Sequence, residues 1–177
     1  MLILTGASAS GKTATALNLE QRHGFSKAIT TTTRAIRQNE VDGKDYFFLT
    51  VEEFNKRLQE GKFVESSLYN GNYYGCGIDQ VSDNKVIVLD PNGVKSFQAL
   101  NDKNIIVVLL KASEETRSNR MNSRGDKKDK IAERLSNDVT SFSSDKYENI
   151  DLVICTDNKS IDEVSDEINS FYRSHLI

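Results

Sequence analysis

The residues with the clearest chemical potential lie in one short segment. Residues 6–13 read Gly-Ala-Ser-Ala-Ser-Gly-Lys-Thr and match the phosphate-binding pattern G-x-x-x-x-G-K-[ST]. Small side chains let several backbone N–H groups turn around an oxyanion, and the helix expected next points its positive dipole end at the same place. Lys12 would supply charge for β- and γ-phosphates, and Thr13 a hydroxyl for Mg²⁺. The segment therefore predicts a phosphate-binding loop.

A second group of anion-binding residue types lies between residues 30 and 46. Four hydroxyls at Thr30–Thr33 precede Arg34 and Arg37, and Tyr46 closes the segment. Arginine matches phosphate with two parallel hydrogen bonds, and hydroxyls or a phenol can complete an oxyanion site. Taken alone, the segment is more simply a polar loop with a solvated arginine pair. Beside a phosphate-binding loop, a second anion pocket is the more economical interpretation.

The composition limits the classes of protein to which the chain can belong. The 177 residues suggest one domain, and 28% charged and 37% hydrophobic residues are typical of a soluble protein. The net charge of −3 argues against nucleic acid as a partner, and no apolar run reaches the roughly 18 residues of a membrane helix. Cys76 and Cys155 fit no zinc or disulfide pattern, and no signal peptide is evident. We expect a cytoplasmic protein.

The elements that must position these residues alternate along the chain. Continuous apolar runs predict strands that are covered on both faces, hence a parallel sheet. Five such runs occur, at Leu2–Leu4, Ala28–Thr32, Val86–Leu89, Ile105–Leu110 and Leu152–Cys155. Apolar stripes with helical spacing lie between several of them. The pattern predicts a doubly wound α/β fold with a five-stranded parallel sheet, in which ligands bind at the carboxyl ends of the strands.

Two segments interrupt this alternation. Residues 34–80 contain short strand patterns, a capping box at Thr50 and turn residues, which together predict a small α+β insertion. Residues 113–134 are charged and poor in apolar positions. The remaining segments, 1–33, 81–112 and 135–177, would form the core of a single domain.

Over residues 1 to about 160, the chain resembles guanylate kinases in several sequence blocks. The shared blocks are T-T-R-x-x-R-x-x-E-x-x-G-x-D-Y at Thr32–Tyr46, G-N-Y-Y-G at Gly71–Gly75 after Glu65, Asp90–Lys95, and Arg120-x-x-x-Arg124-Gly125 followed by Arg134. The phosphate-binding loop alone is typical of a whole superfamily, whereas the first two blocks are far more specific. The resemblance implies a P-loop NTPase core, a monophosphate-binding subdomain at 34–80 and a helical lid at 113–134.

The resemblance also implies a reaction, ATP + GMP to ADP + GDP, with Mg²⁺ on Thr13. ATP would lie on Gly6, Ala7, Ser8, Ala9, Ser10, Gly11, Lys12 and Thr13. The GMP phosphate would be bound by Thr30, Arg34, Arg37, Tyr46 and Tyr74, and guanine by Glu65, Asp90 and Cys76. Carboxylates accept hydrogen bonds from N1–H and the 2-amino group of guanine and are left unpaired by adenine. Lys12, Arg34, Arg120, Arg124 and Arg134 would be catalytic.

Cys76 and Val88 are among the positions that depart from the family pattern, as are Ala9, Thr156 and a lid that is one residue shorter between Arg124 and Arg134. Cys76 stands where the family usually has Ser or Thr against guanine O6, and a thiol is a weak donor. Val88 stands where an acidic residue commonly contacts a magnesium-bound water.

Several alternatives stay open. The basic residues between 117 and 134 are also compatible with a solvated face. A kinase for another phosphorylated small molecule, and a catalytically silent binding module, are the alternative functions. Both a monomer and a homodimer are compatible with the sequence.

Overall fold

The computed structural model describes residues 1–69 and 71–175. The strands are β1 (Leu2–Thr5), β2 (Ser26–Lys27), β3 (Thr31–Thr32), β4 (Phe47–Phe48), β5 (Phe63–Tyr69), β6 (Asn72–Gly77), β7 (Lys85–Val88), β8 (Ile106–Lys111) and β9 (Leu152–Cys155). The α-helices are α1 (Lys12–His23), α2 (Val51–Gln59), α3 (Pro91–Gln98), α4 (Glu114–Ser123), α5 (Lys128–Ser141) and α6 (Ile161–His175). Short 3-10 turns lie at Ile78–Gln80 and Ser144–Lys146.

A five-stranded parallel sheet in the order β2-β7-β1-β8-β9 forms the centre of the molecule. On one face, Leu4 packs in a cluster with Leu19 of α1 and Ile168 of α6. On the other face, Ile3 packs in a cluster with Phe97 of α3. Because helices cover both faces, the strands can be continuously apolar. The predicted doubly wound α/β fold is confirmed.

A second, four-stranded sheet in the order β4-β3-β6-β5 carries the inserted region. Its β5–β6 pair is antiparallel, and α2 packs against it through Phe54, whose ring centroid lies 4.5 Å from that of Phe63. Gly75 leaves room for these two rings, since a Cβ there would lie 3.1 Å from Phe63 Cδ1 and 3.3 Å from Phe54 Cζ. The α2 helix begins at Thr50 with the predicted capping box.

The chain between residues 26 and 32 differs from the sequence-based expectation of one strand. Ser26–Lys27 belongs to the parallel sheet, and the Ala28 N–H still donates to the Val86 carbonyl. The Ile29 N–H instead donates to Gln80 Oε1, after which Thr31–Thr32 joins the second sheet. The prediction of a continuous Ala28–Thr32 strand is wrong because β-branched residues suit either sheet equally well.

The predicted lid region, residues 113–134, consists of α4 and the first half of α5, joined by residues 124–127. Ser113 caps α4 by accepting a hydrogen bond from the Thr116 N–H. The α5 helix continues to Ser141 and so connects the lid region to the core. Among the described residues, no helix combines the length and apolar character needed to cross a bilayer.

Candidate active site

The phosphate-binding loop connects β1 to α1 and depends on unusual backbone angles. Gly6, Ala9 and Gly11 have φ of 137°, 60° and 105°. A Cβ on Gly6 would lie 2.2 Å from the Leu110 carbonyl oxygen, so only glycine fits there. Successive N–H groups in such conformations form a concavity that binds anions. The local structure therefore has the geometry that the motif predicts.

Lys12 lies over this loop. Its Nζ donates to the carbonyl oxygens of Gly6 at 2.6 Å and Ala7 at 2.7 Å, and lies 5.8 Å from the centroid of the Phe142 ring. Burial lowers the pKa of Lys12 to about 8, and the nearby Asp138 carboxylate opposes that shift. A desolvated ammonium is stabilised by an anion, so the site favours a bound phosphate.

A cavity of about 780 Å³ extends from the loop. Its walls come from the start of α1, from α4 and from the segment between β9 and α6, and include Lys12, Thr13, Arg120 and Thr156. The volume is in the range of cavities that hold ligands the size of a nucleotide. Thr13 is exposed at this cavity, where its hydroxyl could reach a metal bound to phosphate.

A second cavity, of about 360 Å³, lies between the two sheets. Thr30, Glu65, Tyr74 and Asp90 all line it, so four residues predicted to bind GMP are brought together. Burial raises the pKa of Glu65; the Cys76 N–H hydrogen bond opposes the rise, and the negative charge of Asp90 adds to it. Asp90 also caps α3 by accepting a hydrogen bond from the Gly93 N–H at 2.8 Å.

Arg34 is held beside this second cavity by a carboxylate for which the sequence analysis proposed no role. Its Nη2 donates to Glu40 Oε1 at 2.7 Å, and its guanidinium lies 5.5 Å from the Tyr46 ring centroid. The hydrogen bond that Arg34 donates to Glu40 is the main reason that the pKa of Arg34 is raised, and a hydrogen bond with Tyr74 adds to the rise. Arg34, Tyr46 and Tyr74 therefore form one group. The available signal for Glu40 was its place in the T-T-R-x-x-R-x-x-E block.

Arg37 is placed differently. Its backbone N–H donates to Glu40 Oε2 at 2.8 Å, while its side chain is exposed. The turn that contains Arg37 is closed by a hydrogen bond from the Glu40 N–H to the Arg37 carbonyl. The main chain of Arg37 thus helps to fix the carboxylate that holds Arg34.

Cys76 and Val88, which depart from the family pattern, have different environments. The Cys76 side chain is fully buried in the apolar cluster beside Ile3, and burial raises the pKa of its thiol to about 12. The structure does not place that thiol among the residues that line the 360 Å³ cavity, although Val88 does line it. Cys76 contributes to the cavity through its N–H, which supports Glu65.

The three predicted lid arginines lie in two different environments. Arg120 donates to the Ala9 carbonyl at 3.1 Å and to the Thr156 carbonyl at 2.8 Å, so it already contacts the phosphate-binding loop. Arg124 and Arg134 both donate to Asp126 Oδ2, at 3.0 and 2.9 Å, and are about half exposed. The structure thus brings Arg120 to the loop and places Arg124 at the wall of the 780 Å³ cavity, while Arg134 shares Asp126 with Arg124.

Asp138 is a further contact of the loop that the sequence analysis did not identify. It accepts hydrogen bonds from Ser8 and from Arg117. In the sequence it lies beside the apolar positions Leu135 and Val139, where nothing distinguishes it from a solvated helix residue.

Comparison with known proteins identifies the family. A guanylate kinase family model matches residues 1–175. Guanylate kinase from Anaplasma phagocytophilum (strain HZ) is 29% identical over 98% of this chain and 86% of its own. That from Wolbachia pipientis wMel is 32% identical, over 96% of this chain and 89% of its own.

Solved structures agree with this family assignment. The crystal structure of guanylate kinase from Anaplasma phagocytophilum matches with a TM-score of 0.70 and 26% identity, over 100% of this chain and 86% of that chain. A gluconokinase from Sinorhizobium meliloti 1021, at 14% identity and a TM-score of 0.54 over 98% of this chain and 91% of its own, shares the fold. With a family model that spans almost every residue, the chain belongs to the guanylate kinase family of nucleoside monophosphate kinases.

Proposed function

We propose that the protein transfers the terminal phosphoryl group of ATP to GMP, giving ADP and GDP. The observation that carries the proposal is that the two candidate sites begin at the same edge of the parallel sheet. The phosphate-binding loop follows β1 and Asp90 follows β7, and these strands are neighbours with Leu4 opposite Val88. The Leu89 N–H also donates to the Leu4 carbonyl at 3.1 Å. A donor and an acceptor bound there would face each other.

On the donor side, residues 6–13 would hold the phosphates of ATP, and the 780 Å³ cavity would take its nucleoside. Lys12 would contact the transferring end of the chain of phosphates. Mg²⁺ fits this site through the Thr13 hydroxyl and the oxygens of the nucleotide, since it needs few protein ligands when phosphates are present. When bound, Mg²⁺ would neutralise negative charge on the phosphates.

On the acceptor side, Thr30, Arg34, Arg37, Tyr46 and Tyr74 would bind the GMP phosphate. Arg34 donates to the Ala35 carbonyl at 2.8 Å and to Glu40 at 2.7 Å, and it also bonds with Tyr74. Because a guanidinium has five N–H donors, these contacts leave it able to donate to a phosphate oxygen as well.

Guanine would lie in the 360 Å³ cavity against Glu65 and Asp90. Two carboxylates there require donors from the base, which guanine supplies on its N1–H and 2-amino edge and adenine does not. The Cys76 N–H holds the Glu65 carboxylate in place for that contact.

Transfer between the two sites would depend on placement and charge neutralisation. Lys12 and Arg120 already lie at the loop, whereas Arg124 and Arg134 would have to leave Asp126 to reach a phosphate. This favours a division into a core, a monophosphate-binding subdomain at 34–80 and a mobile lid at 113–134. Closure of that lid would bring positive charge to two anions that otherwise repel each other, and would exclude water.

A panel of monophosphates tests the proposed function. ADP release is measured by a coupled assay with GMP, dGMP, AMP, CMP and UMP at fixed MgATP. We expect GMP to exceed AMP by a factor of about 10⁴ in kcat/KM, because adenine leaves buried acceptors unpaired. Equal rates with GMP and AMP would refute the guanine assignment. Robust ATP turnover with a different phosphorylated acceptor would instead identify a related kinase.

We further propose a cytoplasmic location and either a monomer or a homodimer. The free cysteines support a reducing compartment, since Cys76 is buried and Cys155 is exposed without a disulfide partner. The net charge of −3 favours small-molecule nucleotides over nucleic acid as partners.

A further inference from the structure

A buried ion pair connects the two helices of the lid region. Asp138 of α5 and Arg117 of α4 are only 7% and 8% exposed, and Arg117 Nη1 donates to Asp138 Oδ2 at 2.7 Å. Burying such a pair stabilises a protein little, because the loss of hydration offsets the attraction between the charges. The other contacts of the carboxylate therefore indicate its role.

Those contacts reach the phosphate-binding loop. The Ser8 N–H donates to Asp138 Oδ2 at 2.9 Å, and the Ser8 hydroxyl donates to Oδ1 at 3.2 Å. Lys12 bonds to the carbonyls of the two preceding residues, Gly6 and Ala7. The first half of the loop is thus held from both sides, by a lysine inside the motif and by a carboxylate about 130 residues away.

The same helices also carry the predicted lid arginines. Arg120 follows Arg117 by three residues on α4 and donates to the Ala9 carbonyl, next to Ser8. Arg134 precedes Asp138 by four residues on α5. Residues spaced by three or four share a helix face, so a movement of either helix is transmitted to the loop at two adjacent residues.

We infer that Asp138 is a positioning residue for the phosphate donor: together with Arg117 it fixes Ser8, and so couples the phosphate-binding loop to the helices that carry the lid arginines. The inference rests on the proposed function, because it takes ATP as the ligand of the loop. It assigns no contact between Asp138 and the substrate.

Removing the carboxylate affects three neighbouring groups. Lys12 loses a negative charge that partly offsets the lowering of its pKa. The Ser8 N–H loses its acceptor, and Arg117 becomes a buried cation without a partner. An asparagine at position 138 keeps an acceptor oxygen but no charge, so its effect should be intermediate. The GMP site, formed on the second sheet and on β7, should not respond.

The experiment compares Asp138→Ala and Asp138→Asn with a matched control. Glu133→Gln makes the same carboxylate-to-amide change as Asp138→Asn on the same helix, at an exposed carboxylate that pairs with Lys130. The KM for MgATP, the KM for GMP, the kcat and the melting temperature are measured for each variant. ATP binding is measured separately by calorimetry.

For Asp138→Ala we expect the KM and the Kd for MgATP to rise about tenfold or more, which corresponds to losing a hydrogen bond to a charged group. The KM for GMP should stay within about twofold, Asp138→Asn should lie between, and Glu133→Gln should match the parent protein. Unchanged ATP parameters in folded Asp138 variants would overturn the inference, as would equal rises in both KM values.

Asp138→Ala leaves Arg117 without its carboxylate, which could prevent folding. A double variant is therefore measured in the same way. Arg117→Met with Asp138→Ala replaces both charges with apolar groups, which often preserves stability. A raised Kd for ATP in this folded double variant supports the inference, and a normal Kd overturns it. If the parent protein bound ATP but failed to phosphorylate GMP, the proposed function would be refuted, while the calorimetric comparison would still decide the role of Asp138.

Discussion

The donor and acceptor sites of this molecule are built in contrasting ways. The donor loop is a single run of eight residues. Its shape is set by backbone angles and by the hydrogen bonds that Lys12 Nζ donates to main-chain carbonyl oxygens. The acceptor cavity draws side chains from β5, β6, the β7–α3 junction and the segment before β3. The donor loop can be predicted from neighbouring residues in the sequence. The acceptor cavity forms only when the strands that line it have paired.

The contrast also extends to electrostatics. The donor site presents a desolvated lysine, Lys12, whose pKa is lowered to about 8. A bound anion would stabilise its charged form. The acceptor site presents a carboxylate, Glu65, whose pKa is raised by burial. Hydrogen-bond donors from a ligand would stabilise its ionised form. A phosphate therefore suits the first site, and the N–H edge of a base suits the second.

The largest effect expected is on the donor side. Lys12→Ala removes the ammonium that would neutralise charge during transfer, and turnover should fall about 10³-fold or more. The measurement is ADP release at saturating GMP, with the exposed Lys130→Ala as the control. A rate within tenfold of the parent protein would show that the loop does not act as the motif predicts.

A smaller effect, confined to the acceptor side, is expected for Glu65→Gln. The amide presents a donor as well as an acceptor, so it can also pair with adenine. The kcat/KM for GMP divided by that for AMP should therefore fall by about 10- to 100-fold. Glu60→Gln, at an exposed residue that follows the last turn of α2, is the control. If the GMP/AMP ratio is unchanged while MgATP parameters shift, the two sites are not as separate as the structure indicates.

The pH dependence of ATP binding sharpens the electrostatic comparison. In the free protein, the lowered pKa of Lys12 means that its proton is lost as pH rises through about 8. Bound phosphates should hold that proton to higher pH, so ATP affinity should fall above about pH 8, by at most about tenfold per pH unit. Calorimetry from pH 7 to 9.5 measures this, and a flat profile would contradict the assignment. GMP affinity should lack this transition.

The smallest effect is expected for Cys76→Ser. The thiol is buried in the core and donates weakly to the Gly77 carbonyl at 3.7 Å, so a hydroxyl can keep that hydrogen bond. We expect the KM for GMP to change by less than about twofold and the melting temperature to fall slightly, since a more polar group is buried. A large change in the KM for GMP would show that the side chain reaches the base after all.

Much of the architecture was predictable because it follows from short-range patterns. The phosphate-binding loop, the capping box at Thr50 and the apolar strands depend on neighbouring residues, and the predicted fold and family are confirmed. The assignment of Thr31–Thr32 to the parallel sheet was wrong, because strand propensity does not specify the partner. The roles of the site residues stay predictions that the variants above address.

The amino-acid sequence by itself determined the phosphate-binding loop, the alternation of strands and helices, and the residues able to bind anions. Only the tertiary structure decided that Cys76 faces the core, that Glu40 holds Arg34 and that Asp138 holds Ser8. The physical reason is distance along the chain. Backbone conformation and helical periodicity act over a few residues, whereas burial and the pairing of charges such as Arg117 and Asp138 depend on segments that meet only after folding.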